Sequence, residues 1–329
     1  MAKYDVAGIG NAIVDVIAPV DDAFLLKHSV AKGVMSLVDE FRASELLPAL
    51  ADPQEIAGGS AANTMAGIAS LGGKGLFVGK VKDDVLGRAF ADSMNEIGVT
   101  FTTEMAADGP STACSVILVT PDRHRSMNTY LGASREISEA DVDEAAIASS
   151  AVLYIEGYLW DQPNAKAAIN KAIDAAKRGG AKVAFTLSDP FCVGRYRKEF
   201  LVLLWEDFDI LFANEDEAKT LFEVADFDAV LKPLKDWGGI AAVTRSEKGC
   251  VVVRGNEMHA VPAVPGVRVI DTTGAGDQYA AGFLYGFTHD KNLETCGKLG
   301  ALCAAEVISH YGARPEKSLR DLAMKAGLL

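Results

Sequence analysis

The chain predicts an α/β protein: a doubly wound, mostly parallel sheet flanked by helices, with a small β-sheet lid. Three observations carry that expectation. Short β-branched runs alternate with helix-period runs, as in 151–157, 163–180 and 182–188, which is the rhythm of parallel βαβ units. Glycine turns at Gly58 and Gly59 and at Gly274 and Gly276 each lead into an apolar helical run. Two regions, about 12–38 and about 100–130, break the rhythm and read as extended segments with turns.

In chain order, strands are expected in DVAGIG (5–10), GLFVGKV (75–81), AVLYIEG (151–157), KVAFTLS (182–188), DILFAN (209–214) and IAAVTR (240–245), with helices after most of them. The two irregular regions arise beside the first glycine motif and are expected to pair with each other as the lid. No internal repeat, low-complexity tract or long linker interrupts the 329 residues, so one domain spanning 1–329 is expected, with the lid inserted in its core.

A hydrophobic content of 49% is ample for a buried core, and a formal charge of −13 without a basic cluster argues against nucleic acid as a partner. Five cysteines, an odd number with no CxxC pair, fit reduced thiols in a cytoplasmic protein. The apolar N-terminus is broken by Asp5, Asn11 and Asp15, unlike a signal-peptide core, and no stretch is long enough to span a membrane.

The segment DTTGAGDQYAAGFLYG, 271–286, joins a small-residue turn to an apolar helix. Gly274, Ala275 and Gly276 let backbone N–H groups approach an anion, the helix dipole adds positive potential there, and Asp277 stands in the first turn. That suits phosphoryl transfer, although such an Asp can also serve only as a cap. Gly58, Gly59 and Ser60 offer a second helix N-terminus to a polar ligand, with Asn63 one turn in. There is no GxxxxGK[ST], so the phosphate clamp is the helix terminus itself rather than a P-loop. A nicotinamide-binding reading fails because GIGNAI lacks the third glycine and the downstream acid.

Together the two segments resemble both signature regions of the ribokinase-like carbohydrate and nucleoside kinases, the PfkB family, in order and spacing. The resemblance implies an ATP-dependent kinase with Asp277 as general base and the amides from Gly274 to Asp277 as the anion hole. It implies that Asn214 and Glu217 in NEDE help hold the magnesium of MgATP through water, where the residues alone read equally as a capped helix start. Thr244, Ser246 and Gly249 match a nucleotide loop that usually reads T-x-G-x-x-G, with Ser246 in the first glycine position. The segment 297–313 resembles the adenine-covering helix and turn, and equally describes a plain core helix. Asp271 resembles part of a monovalent-cation site, which makes K+ a candidate ligand.

For the acceptor, the resemblance assigns vicinal sugar hydroxyls to Asn11 and Asp15, completed by Gly58, Gly59, Ser60 and Asn63. Within the family the opening GNAIVDV, TLSDPF at 186–191 and RPEKSL are most similar to adenosine kinases. Tyr158, Trp160 and Phe191 could then supply flat contacts to a base, though each also reads as a packing residue. YLGASRE, 130–136, departs from the eukaryotic pattern. Phosphorylation of the 5′-hydroxyl of adenosine is the leading expectation; a free-sugar kinase (ribose or fructose) and a binding regulator without turnover are the alternatives. Monomer and homodimer both fit. Gln278 stands where relatives usually have a small residue.

Overall fold

A computed structural model describes residues 2–122 and 124–329. Among the described residues fourteen strands form two sheets: β1 Tyr4–Ile9, β2 Ile13–Pro19, β3 Met35–Leu37, β4 Gln54–Gly58, β5 Gly75–Val78, β6 Thr100–Phe101, β7 Ala113–Val119, β8 Arg125–Tyr130, β9 Ser150–Glu156, β10 Lys182–Thr186, β11 Ile210–Asn214, β12 Ile240–Thr244, β13 Cys250–Arg254 and β14 Glu257–Val261. The large sheet has the order β14-β13-β12-β11-β10-β9-β1-β5-β6, and all pairs from β12 through β6 are parallel. The pairs β12–β13 and β13–β14 are antiparallel, so β13 runs against its neighbours. The inner strands of the large sheet are buried on both faces: Val6 on β1 joins one apolar cluster while Ala7 and Ile9 join the other.

The order of strands reverses at β1, between β9 and β5, and ligands of such sheets bind at the carboxyl ends of the strands flanking that reversal. The register Ile9↔Ile155 therefore brings the residues just beyond β1 beside the end of β9.

The small sheet has the order β3-β8-β7-β2-β4. On β2 the even positions Val14, Val16 and Ala18 are buried, packed with Leu25, Ala43, Leu46 and Phe90 of the surrounding helices. The odd positions Ile13, Asp15 and Ile17 are only partly covered. Cross-strand register continues that face into a row Leu37, Thr129, Ser115, Asp15, Ile56, with Met35, Met127, Ile117 and Ile17 in the next row; Ser115, Ile117 and Thr129 at its centre are buried.

Three details differ from the sequence expectation. Within 12–38, Asp22–Lys27 is a helix, because Asp21 accepts from the Phe24 N–H and caps it. Thr100–Phe101 extends the edge of the large sheet rather than the small one. The small sheet also recruits Gln54–Gly58, outside both expected segments, as the antiparallel partner of β2. Trp160 is buried, with Nε1 donating to Glu199 at 2.7 Å, so it is a packing residue.

Candidate active site

Two helix N-termini meet at the carboxyl edge of the large sheet. The helix Ser60–Ser70 begins after Gly59, whose φ is +95° and whose place no larger residue could take: a Cβ there would lie 2.1 Å from the Asn11 carbonyl oxygen. The helix Ala275–Thr288 begins after Gly274, at φ +76°, packed against Ala313. Gly67 lets the helices cross closely, since a Cβ there would come within 2.5 Å of the Ala281 Cβ. The crossing delivers Ser60 Oγ to 2.7 Å from Asp277 Oδ1, and Asn63 Nδ2 to 3.2 Å from Oδ2.

Asp277 is partly exposed at the cleft floor. Its low-dielectric surroundings push its pKa up to about 6, against the downward pull of the Ser60 and Asn63 hydrogen bonds. Among the described residues the N–H groups of Gly274, Gly276 and Asp277 have no protein acceptor, while the Ala275 N–H is turned to the Thr272 carbonyl at 3.2 Å. A Cβ at Gly276 would meet nothing within 4 Å, so the free amides open onto space. This is a place for an anion, one amide smaller than expected.

Gln278, buried beside Asp277, donates from Nε2 to the Asn63 carbonyl at 2.9 Å and the Ala313 carbonyl at 3.0 Å. It ties together both helices and the turn behind the anion hole, which is why a long amide occupies this position.

Asp15 projects from β2 onto the open face of the small sheet and has no hydrogen-bond donor among the described residues. A Cβ at Gly58 would strike its carboxylate at 2.6 Å, so the glycine makes room for it. Burial pushes the Asp15 pKa up to about 6, while Arg125 and Arg314 pull it down and Asp277 adds to the rise. Asn11 lies nearby, but its Nδ2 donates to Glu156 Oε1 at 2.6 Å, so only part of its polar capacity faces the cleft.

Glu156, not singled out from the sequence, closes β9 beneath the site. Its Oε2 accepts from the Ala61 N–H at 3.0 Å, and burial pushes its pKa up to about 7. The signal was present, since Glu156 is the lone carboxylate ending an apolar strand. Arg125, also missed, reaches from β8 to an ion pair with Asp271. Asp271 further accepts from Thr273 N and Oγ1 at 3.1 and 2.7 Å and from the Gly312 N–H at 3.0 Å. Its carboxylate is thus spent within the protein.

Next to the anion hole opens a cavity of about 850 Å³, walled by Asn214, Thr244, Ser246, Gly249, Ala275, Gly276 and the small residues Ala301, Ala304 and Ala305. Ser246 adopts φ +50°, so a serine keeps the left-handed backbone expected of the missing glycine. Gly249 is obligatory, as a Cβ would lie 2.0 Å from the Val261 carbonyl oxygen. Asn214 and Glu217 close on each other as a capping box: the Glu217 N–H donates to Asn214 Oδ1 at 2.8 Å, and Asn214 Nδ2 donates to Glu217 Oε1 at 2.6 Å. Asn214 lines the cavity; Glu217 is buried behind it, with its pKa pushed up to about 7 by burial.

Tyr158 and Phe191 follow the ends of β9 and β10. Tyr158 is 38% exposed, with its hydroxyl donating to the Ser188 carbonyl at 3.3 Å, and Phe191 is 80% exposed.

The arrangement of an aspartate between two helix N-termini, an anion hole and a nucleotide-sized cavity defines a phosphotransferase site. The model of the pfkB family carbohydrate kinases matches residues 33–319, and the chain belongs to that family. It is an ATP-dependent phosphotransferase, a nucleoside or sugar kinase. Its structure is similar to the adenosine kinase of Sinorhizobium meliloti, 51% identical with a TM-score of 0.90 over 99% of this chain and 100% of that one. It is equally similar to a probable sugar kinase of Rhizobium etli CFN 42, 46% identical with a TM-score of 0.91 over 100% of both chains. The adenosine kinase of Saccharomyces cerevisiae is 26% identical over 92% of this chain and 94% of the yeast protein. Among the described residues no helix is long and apolar enough to cross a membrane.

Proposed function

We propose that the protein transfers the γ-phosphoryl group of ATP to the 5′-hydroxyl of adenosine, giving AMP and ADP. The observation that carries this reading is the set of exposed apolar side chains on the edge strands of the small sheet, flanking the polar centre formed by Thr129, Ser115 and Asp15. Met35 and Leu37 are 56% and 66% exposed there, with Ile56 beyond Asp15 in the same row. Exposed Phe191 and Tyr158 stand at the carboxyl edge of the large sheet. A flat, apolar base matches such surfaces; a free sugar would leave them wet. The 51% identity to the Sinorhizobium meliloti enzyme supports the same acceptor.

In this reading Asp15 accepts hydrogen bonds from the two ribose hydroxyls, with Asn63, Ser60 and the remaining capacity of Asn11 around the ring, and Gly58 and Gly59 granting close approach. Asp277 takes the proton of the 5′-hydroxyl as its oxygen bonds to the γ-phosphorus, and the bond to the bridging oxygen of ADP breaks. The free amides of Gly274, Gly276 and Asp277 meet the charge on the transferring group. The adenine of ATP lies against Ala301, Ala304 and Ala305, and its phosphates run past Thr244, Ser246 and Gly249. Magnesium, when bound with ATP, neutralises phosphate charge. The oxygen donors of Asn214 suit a hydrated ion, with Glu217 acting through it or through water. Asp271, already ion-paired, would serve a potassium ion chiefly by shaping the backbone around it. The small sheet acts as a lid that excludes water. The protein works in the cytoplasm as a monomer or homodimer.

The polar half of the site would serve any furanose, and the Rhizobium etli relative keeps a sugar-kinase reading open as the alternative. MgATP-dependent ADP production with adenosine, inosine, guanosine, ribose and fructose offered separately decides between them, with and without potassium. Turnover confined to adenosine supports the proposal; preference for a free sugar overturns the base site and keeps the chemistry.

A further inference from the structure

We propose that Glu306 and His310 are a pair of positioning residues, a charged tie across the turn 308–314, and that this tie holds the wall of the nucleotide cavity in its binding form. The proposal rests on the reading of that cavity as the ATP site given above. Glu306 stands in the last turn of the helix Leu293–Val307, with its side chain only 2% exposed. Its Oε1 accepts from the Lys317 N–H at 3.0 Å, and its Oε2 lies 3.1 Å from His310 Nε2. One buried carboxylate thus joins the entrance of the turn to its exit. Between those points the turn makes the contacts that shape the site. The Ile308 carbonyl accepts from the Ile270 N–H at 2.8 Å, and the Gly312 N–H donates to Asp271 at 3.0 Å. Ala313 packs on Gly274 while Gln278 holds its carbonyl. Ile308 itself lines the cavity with Ala304 and Ala305.

The geometry also fixes the charge that the tie needs. His310 Nδ1 lies 3.1 Å from the Tyr311 carbonyl oxygen, so both ring nitrogens face atoms that only accept. A neutral imidazole has one N–H and leaves one of these contacts as lone pair against lone pair, whereas the imidazolium satisfies both. Among the described residues the charged groups paired with the ring are Glu306, from its own helix, and Glu316, 3.7 Å from Nδ1, from the segment after the turn. The Cys303 thiol faces Glu306 from the preceding helical turn, and burial keeps it protonated. Burial pulls the His310 pKa down, but the hydrogen bonds to Tyr311 and Glu306 and the two carboxylate charges outweigh it, so the net shift is upward. The tie is therefore complete below that raised value and fails as pH rises through it. A turn that has lost it populates its binding form less, which weakens nucleotide binding in proportion.

The test joins calorimetric titration of the full chain with MgATP to NMR of isotope-labelled histidine, from about pH 6 to about pH 9. Comparing proteins at the same pH cancels the ionisation of ATP itself. The His310 resonance, identified by its loss in His310→Gln, should titrate above the ordinary histidine range, and the wild-type Kd for MgATP should rise about three- to tenfold across that titration. His310→Gln fills only one of the two contacts, so its Kd should sit near the alkaline wild-type value at every pH. Glu306→Gln should do the opposite. Its amide oxygen still accepts from Lys317 while its NH2 donates to a neutral ring, so the tie forms without a charge. The Kd of this variant should stay low near about pH 9, where the wild type has weakened, and its His310 should titrate at least about one unit lower. A pair that served only to pack the turn would give both variants the same defect at every pH. A Kd that rises with pH in Glu306→Gln as in the wild type, or a His310 that stays neutral throughout, overturns the proposal. Ala304→Trp, which fills the cavity, separates the two readings: if it binds MgATP as tightly as the wild type, the reading of the cavity falls, while the tie is still read directly by NMR.

Discussion

Ser60 donates its hydroxyl proton to Asp277 at 2.7 Å, although 217 positions separate them in the chain. Each residue sits in the first turn of a helix entered through a glycine at positive φ, so the contact is a consequence of two backbone turns rather than of flexible side chains. With Asn63 on the second oxygen, the carboxylate is fixed in direction while remaining partly exposed to the cleft.

That fixed carboxylate gives the first prediction. Asp277→Asn keeps the shape and loses the proton acceptor, so kcat should fall by about 10²- to 10⁴-fold, the range for a general base. MgATP affinity, measured by calorimetry, should stay within about twofold because the amides remain. Since burial pushes Asp277 up to about 6, wild-type kcat should decline as pH falls through that value. Near-normal turnover in the variant would remove Asp277 from the mechanism.

Stability should respond to pH in the direction opposite to ordinary acid denaturation. Glu156 and Glu217 are pushed up to about 7, and Asp15 and Asp277 to about 6, by burial. The folded state thus binds protons more tightly than the unfolded chain, whose carboxylates titrate near about 4. Between those values stability is lost as pH rises and regained as it falls. The carboxylates held below their usual range, such as Asp122 and Glu199, act only below that window. The Tm of the ligand-free protein should therefore climb from about pH 8 to about pH 5, and Glu156→Gln should flatten the slope. A Tm that falls steadily over that range would contradict the burial of these groups.

Much of this was legible in the chain. Gly58 through Ser60 and Gly274 through Asp277 announce themselves because a turn that needs glycine and a helix that needs a start occur together. The six named strands lie where β-branched runs were read, since burial on both faces leaves little else in the sequence. Arg125 was not legible as a site residue: it is a single polar residue in an unremarkable context, given meaning only by Asp271, 146 positions away, whereas Glu156 left a signal as the lone carboxylate ending an apolar strand. The hairpin β13–β14 was also passed over, although Gly255 at φ +56° marks its turn. The pairing of Asn214 with Glu217 follows the local capping rule already visible in NEDE. Asn11 differs from expectation because its amide meets Glu156 only once β1 and β9 lie side by side.

Gln278 supplies the third prediction. Its Nε2 is the donor shown on the buried Ala313 carbonyl. Gln278→Leu should leave that carbonyl unpaired and cost about 1–3 kcal/mol in urea unfolding. Gln278→Glu should cost more, because a carboxylate oxygen would face two carbonyls. Both variants should also lower kcat, since the clamp positions the turn on which Gly274 rests. Equal stability of Gln278→Leu and wild type would show that the clamp carries no load.

Phe191 separates base recognition from folding. At 80% exposure its ring contributes little to the core, so Phe191→Ala should change unfolding free energy by no more than about 0.5 kcal/mol. If the ring stacks on the acceptor's base, its loss removes about 0.5–1.5 kcal/mol, and the adenosine KM should rise about two- to tenfold. The KM for MgATP should not move, because the nucleotide cavity lies along β11, β12 and the helix Leu293–Val307, away from the start of the helix Pro190–Glu206. Ribose, lacking a base, should be handled alike by both proteins. An unchanged adenosine KM would leave the apolar face without a base to bind and favour a free sugar as the acceptor.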